Sequence, residues 1–164
     1  MSAPDSEKEL HRSVKELEKK LEFKFRTVYN LKTAVTRKSY KQEYPSLDRC
    51  DNERLEFLGD SVLKLIMSEH LYLKTDYSEG DMTKKRNQME SNEILAEMAE
   101  HIGIKEHVLI GRAESMNPNI DFKGILANTF EAIIGAMYID KGYDKTRDFF
   151  KNKMLWTLVD LKLG

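Results

Sequence analysis

The run from Asn52 to Val62, N-E-R-L-E-F-L-G-D-S-V, sets three carboxylates (Glu53, Glu56, Asp60) and an interior glycine, Gly59, among strong helix formers. At about 100° per residue the three acids fall within roughly 60° of one another. Leu55, Leu58, Val62, Leu65 and Ile66 take the opposite side and are expected to face the core. Phe57 falls outside that stripe, on the flank shared with the acids, where an aromatic suits either an interface or a covering loop of the same chain. For three such acids alone, a solvated helix face is the ordinary explanation. Gly59 costs a helix up to about 1 kcal/mol relative to Ala, which points to something packed closely against it.

A second segment, K-G-I-L-A-N-T-F-E-A-I-I-G-A-M-Y-I-D from Lys123 to Asp140, alters that weighing. Its stretch from Gly124 to Ile139 is apolar enough to require burial of most of its surface. Asn128 and Glu131 stand one turn apart, on a side otherwise made of Gly124, Ala132 and Gly135, which leave space instead of filling it. A lone buried carboxylate costs several kcal/mol unless it is paired or binds a metal. Glu131 therefore calls for a cation, supplied by basic side chains or by a divalent ion gathered together with Glu56 and Asp60. Oxygen donors without a thiolate or histidine pattern point to Mg²⁺ or Mn²⁺, not zinc. His11, His70, His101 and His107 have no ligand spacing and read as surface or packing residues.

Helices must position these groups. Ser6 and Glu9 form a capping box ahead of Leu10, Val14, Leu17 and Leu21 at helical spacing. Leu31, Ala34 and Val35 suggest a short second helix, and Glu43 to Asp51 reads as a loop. A long helix is expected from near Glu53 to about Lys74, capped by Asp51 or Asn52. Ser78-Glu79-Gly80-Asp81 turns into one helix through Lys84, Arg86, Ile94, Leu95 and Met98, stopped near Gly103. After a loop at Asn117-Pro118-Asn119, a helix from about Lys123 to Ile139 ends at Asp140-Lys141-Gly142. A last helix carries Phe149, Phe150, Leu155, Trp156, Val159 and Leu161. No alternating strand pattern competes, so the fold class is all-α.

A chain of 164 residues supports one domain with a real core. Its 27 basic and 28 acidic residues give a formal net charge of −1, so any nucleic-acid surface has to be a local patch. Cys50 is the only cysteine, which excludes an internal disulfide and fits a reducing compartment. There is no apolar run long enough to cross a bilayer and no signal-peptide core at the N-terminus, so a cytoplasmic or nuclear location without a membrane is expected.

E-R-L-E-F-L-G-D-S-V-L strongly resembles the signature of the ribonuclease III endonuclease domain. L-E-K-K-L-E-F-K-F-R and L-K-T-A-V-T-R-K-S-Y look like its opening helices, and S-E-G-D-M-T-K-K-R-N-Q-M-E-S-N-E-I-L-A-E-M-A resembles its middle segment. A-N-T-F-E-A-I-I-G-A-M-Y-I-D is similar to the helix with the second pair of metal-site residues. The resemblance implies an all-α homodimer that cleaves double-stranded RNA with Mg²⁺, Mn²⁺ substituting, and leaves 5′-phosphates, 3′-hydroxyls and short 3′ overhangs. By motif position Glu56, Asp60 and Glu131 match three of four core metal-site acids, Glu53 a flanking acid, and Phe57 the aromatic that plugs into the other subunit. Duplex RNA would be held by shape, through phosphates and 2′-hydroxyls. Lys84, Lys85 and Arg86 could touch phosphate, although a solvated basic face accounts for them equally well.

Two departures matter. Asn128 stands where the family has Asp; it keeps a carbonyl oxygen for Mg²⁺ but removes a charge, and a natural replacement would read the same as one introduced to silence the site. The whole of 1–164 reads as a single endonuclease domain without a double-stranded-RNA-binding domain, as expected of a truncated chain, a minimal member, or a subunit relying on a separate RNA-binding partner. Arg37 and Lys38 also stand where the family more often shows His-Arg. Three classes follow: an endonuclease, a catalytically inactive dimer serving as an RNA-associated structural subunit, and a protein adaptor using the Phe57 flank.

Overall fold

The computed structural model describes residues 7–48, 50–153 and 156–157, with side chains from residue 10 onward. Its helices are α1 (Glu7–Leu21), α2 (Tyr29–Ala34), α3 (Lys38–Glu43), α4 (Glu53–Lys74), α5 (Glu79–Met89), α6 (Asn92–His101), α7 (Arg112–Ser115) and α8 (Phe122–Asn152). A single 3₁₀ turn, Lys105–His107, lies between α6 and α7. Among the described residues there is no strand, only an isolated parallel bridge between Thr36 and Leu109. The all-α expectation holds. The Ser6–Glu9 capping box and Leu155, Val159 and Leu161 of the last helix lie outside the described residues.

Burial follows the helical periodicity. Leu10, Val14, Leu17 and Leu21 of α1 are all buried, as are Ile125, Leu126, Phe130, Ile133, Ile134 and Met137 of α8. α8 is the central element and packs against α4, α6 and α2. Gly142 breaks it at φ 76°, a left-handed conformation that costs glycine little, and the helix resumes toward Phe149 and Phe150. The stop expected at Asp140-Lys141-Gly142 is therefore a kink.

Two further expectations are corrected, and the choice of Asp51 or Asn52 as the cap of α4 is narrowed to Asp51. The segment from Ser78 to Gly103 is two helices: Ser91 caps α6 by accepting from the Ile94 amide at 3.4 Å, and this local hydrogen bond competes with continuation of α5. Leu65 is 55% exposed; at eight residues it lies about 80° from Phe57, nearer that flank than the buried Ile66. Asn52 does not cap α4 with its side chain and is fully buried, while Asp51 Oδ1 accepts from the Glu53 amide at 3.2 Å.

Among the described residues no helix is long and apolar enough to cross a membrane. Two of the histidines pack: His70 stacks on Trp156 at 3.8 Å between ring centroids, and buried His107 meets Ser13 Oγ at 2.8 Å; His11 and His101 are exposed.

Candidate active site

Backbone contact between α4 and α8 sets the geometry. A Cβ built on Gly59 would sit 1.7 Å from the Glu131 carbonyl oxygen, and one on Gly135 would sit 2.3 Å from the Leu55 carbonyl oxygen. Two glycines thus let the helices touch, and the space at Gly135 is filled by α4 instead of being left for a ligand. This contact holds Glu131 against the row containing Glu56 and Asp60.

Electrostatics record the result. Burial pushes the Glu131 carboxyl up from 4.5 to about 7; the Asp60 and Glu56 charges add to the shift and Lys64 opposes it. Burial also raises Glu56, reinforced by Glu53 and Asp60 and opposed by Arg37 and a hydrogen bond from Asn128. An ionised Asp at 128 could not donate that bond. Asn128 and Glu131 therefore do lie with Glu56 and Asp60. Glu53 is peripheral: half exposed, it pairs with Lys38 Nζ at 3.0 Å.

Three residues enter that the sequence reading did not assign. Lys64 Nζ lies 2.6 Å from Asp60 Oδ2, and Glu90 and Glu131 also act on it, so its pKa is raised. Glu90, from the end of α5, feels both Lys64 and Asp60 and is raised chiefly by burial. Arg37 acts on Glu56 through its charge, and backbone bonds hold its segment in place: the Arg37 amide donates to the Leu109 carbonyl at 3.0 Å and the Asn52 amide donates to the Thr36 carbonyl at 2.9 Å. The guanidinium is held by Glu114 at 2.8 Å. Lys64 was readable as Asp60's i+4 partner, whereas Glu90 and Arg37 arrive only through tertiary packing.

Among the described residues no three His, Cys, Asp or Glu side chains converge closely enough to hold a metal ion. The donor types nonetheless suit a hard divalent cation, because Glu56, Asp60 and Glu131 act on one another electrostatically and Asn128 hydrogen-bonds Glu56. Phe57 is 79% exposed, with Leu65 and Tyr72 also exposed on α4. Lys84 is exposed. Arg86 is turned inward, donating to Ser68 Oγ at 3.0 Å, with its Nε 3.3 Å from Glu90.

A family model described as Ribonuclease-III-like matches residues 30–158. The chain is 43% identical over 121 residues to ribonuclease 3 of Borreliella burgdorferi, covering 73% of this chain and 49% of that protein. It is 40% identical over 146 residues to the Listeria monocytogenes ribonuclease 3, covering 88% and 63%. The nuclease domain of ribonuclease III from Campylobacter jejuni superposes with a TM-score of 0.76 at 31% identity, over 86% of this chain and 95% of that one. The chain thus spans about half the length of the curated relatives it matches. With the match running from α2 through α8 and across both acid-bearing helices, the chain belongs to the ribonuclease-III-like family.

Proposed function

We propose that this chain is a nuclease domain that hydrolyses double-stranded RNA in RNA processing with a divalent cation, Mg²⁺ with Mn²⁺ as substitute, leaving 5′-phosphate and 3′-hydroxyl ends. The observation that carries the reading is Glu131, half-buried against Glu56 and Asp60 and pushed up to about 7. A carboxyl placed so badly for itself is well placed for a cation.

Glu56, Asp60 and Glu131 would hold the ion through carboxylate oxygens and Asn128 through its amide oxygen. When bound, such an ion supplies Lewis acidity toward the phosphodiester and a more acidic water. The chain's own groups prepare for it: Arg37 keeps Glu56 toward its ionised form, Lys64 neutralises Asp60, and Glu131 holds a proton near neutrality that it gives up to a cation. Lys84 and Lys85, with Arg86 bracing the acids, offer a modest phosphate contact. Further duplex affinity would come from an RNA-binding domain or partner.

The exposed Phe57, Leu65 and Tyr72 suit the interface of a homodimer. The Campylobacter jejuni nuclease domain is described as having a region involved in dimer formation, and dimerisation here is part of the proposal.

The test is cleavage of a perfect RNA duplex with Mg²⁺ or Mn²⁺ by this chain, by Asn128→Asp and by Glu131→Gln. Restoring the charge should lower the metal concentration required by about tenfold, and Glu131→Gln should not cut. The reading fails if neither this chain nor Asn128→Asp cuts while the dimer stays folded. The inactive structural dimer would then replace it; that second reading is favoured by the missing charge at Asn128 and by Lys64 already lying on Asp60.

A further inference from the structure

A cavity of about 290 Å³ opens beside Asn128, walled by Arg37, Asn92, Glu114, Asn119, Ile120 and Asp121. Its charged groups are engaged with one another. Arg37 Nη2 donates to Glu114 at 2.8 Å, and Ser39 also donates to Glu114. Asp121 Oδ1 accepts from the Gly124 amide at 2.9 Å, so the first turn of α8 is already capped. An anion entering here would meet two carboxylates and one guanidinium that is already paired. The cavity is therefore a poor phosphate site.

What the wall leaves available is neutral and bifunctional. The side chains of Asn92 and Asn119 are exposed and make no hydrogen bond among the described residues, so a ligand there exchanges with water, and each carries both donor and acceptor. Arg37 Nε is buried without a hydrogen-bond partner. Ile120 adds an apolar wall. Amide side chains of this kind can match the edge of a nucleobase, as Asn does with adenine. The volume lies at the small end for ligand pockets and admits one nucleoside.

Building on the nuclease reading above, we propose that this cavity is a subsite for the base of one unpaired RNA residue, next to the bond cut at the Glu56–Glu131 site. A paired base has its hydrogen-bonding edge turned into the duplex, whereas bulges, loops and ends present theirs. The preferred substrate would then be a duplex carrying one unpaired nucleotide near the cut, with a preference for its identity.

The direct test titrates adenosine, guanosine, cytidine and uridine into the protein without divalent metal and follows the side-chain amides of Asn92, Asn119 and Asn128 by NMR. At least one nucleoside should shift them at millimolar concentration and another should not, and Asn92→Ala with Asn119→Ala should abolish the response in a chain with unchanged circular dichroism. Absence of any shift, equal shifts from ribose or inorganic phosphate, or binding that survives the double variant would each overturn the subsite. In cleavage assays the chain should favour a duplex with one unpaired residue over a perfect one by about tenfold. The double variant should lose that preference and still cut perfect duplex. Equal rates on the two substrates would also overturn it. Should no RNA be cut at all, the nuclease reading falls, and the nucleoside titration still decides the cavity by itself.

Discussion

Helix α8 carries two inward-facing carboxylates, nine residues apart, in opposite circumstances. Asp140 is only 4% exposed, yet both its oxygens accept from the Arg26 backbone amide, at 3.0 and 3.2 Å. Glu131 is less buried, has no hydrogen-bond donor among the described residues, and meets Asp60 and Glu56. Glu18 in α1 resembles Asp140, since it accepts from the Phe25 amide and from Lys15, both at 2.8 Å. Asp140 and Glu18 are given donors. Glu131 is given other acids, and that difference marks a site whose stabilising partner is absent from the chain itself.

The largest effect should come from the contact that presses Glu131 into place. Gly59→Ala puts a methyl into the Glu131 carbonyl, where backbone and not a flexible side chain must move. Urea denaturation should show a loss of about 3 kcal/mol or more, while the Asp140–Arg26 end keeps its amide protection in hydrogen exchange until global unfolding. A variant within about 1 kcal/mol of the parent would mean the helix crossing is looser than described.

Asp140→Ala comes next. It strips the Arg26 amide of its acceptor in a buried setting and frees the loop between α1 and α2, at a cost of about 2 kcal/mol. Protection of the Arg26 amide against exchange should fall with it. If stability is unchanged, Asp140 is not the anchor of that loop and the contrast with Glu131 collapses.

Glu131→Gln should act in the opposite direction. The folded chain holds the Glu131 proton up to about 7, whereas the unfolded chain releases it near 4.5. Between those values the unfolded state binds fewer protons, so stability falls as pH rises through the window and levels off above it. In metal-free buffer the glutamine variant should recover on the order of 1–2 kcal/mol at pH 8, after allowance for solvent screening, and its stability curve should be flatter between the two values. Mg²⁺ should raise the melting temperature of the parent more at pH 8 than at pH 6 and leave the variant unmoved. A parent curve flat across this window would sink the account of Glu131.

What could be read in advance, and what could not, divides along the same line. Gly59 betrayed the helix crossing because an interior glycine costs propensity, and Glu131 betrayed the site because a carboxylate in an apolar helix costs solvation. Phe57 stood out by angle alone, and 79% exposure agrees with it. Leu65 departs from its expected core position because periodicity blurs at the edge of a stripe, and the break at Ser91 is masked because a capping serine competes with an otherwise helical pattern. Glu90, Arg37 and the donors of Asp140 were not legible at all. Each acts across elements brought together only by the fold, and one sequence carries no signal for such pairings.

Glu53 supplies the smallest effect and the sharpest control. It shares the helical row of Glu56 and Asp60, yet in the fold it lies half exposed and pairs with an exposed lysine, Lys38, at 3.0 Å. Exposed pairs of this kind contribute little to stability because water already solvates both charges. Glu53→Gln should therefore leave the denaturation midpoint nearly unmoved and alter its pH dependence only through the small push that Glu53 gives Glu56, measured beside Glu131→Gln in the same buffers. Its effect on Mg²⁺-dependent stabilisation should be a fraction of that of Glu131→Gln, because Lys38 and solvent already offset the charge that is lost. If Glu53→Gln instead reproduces the Glu131→Gln behaviour, the acid row acts as one electrostatic unit, and burial against α8 is not what distinguishes its members.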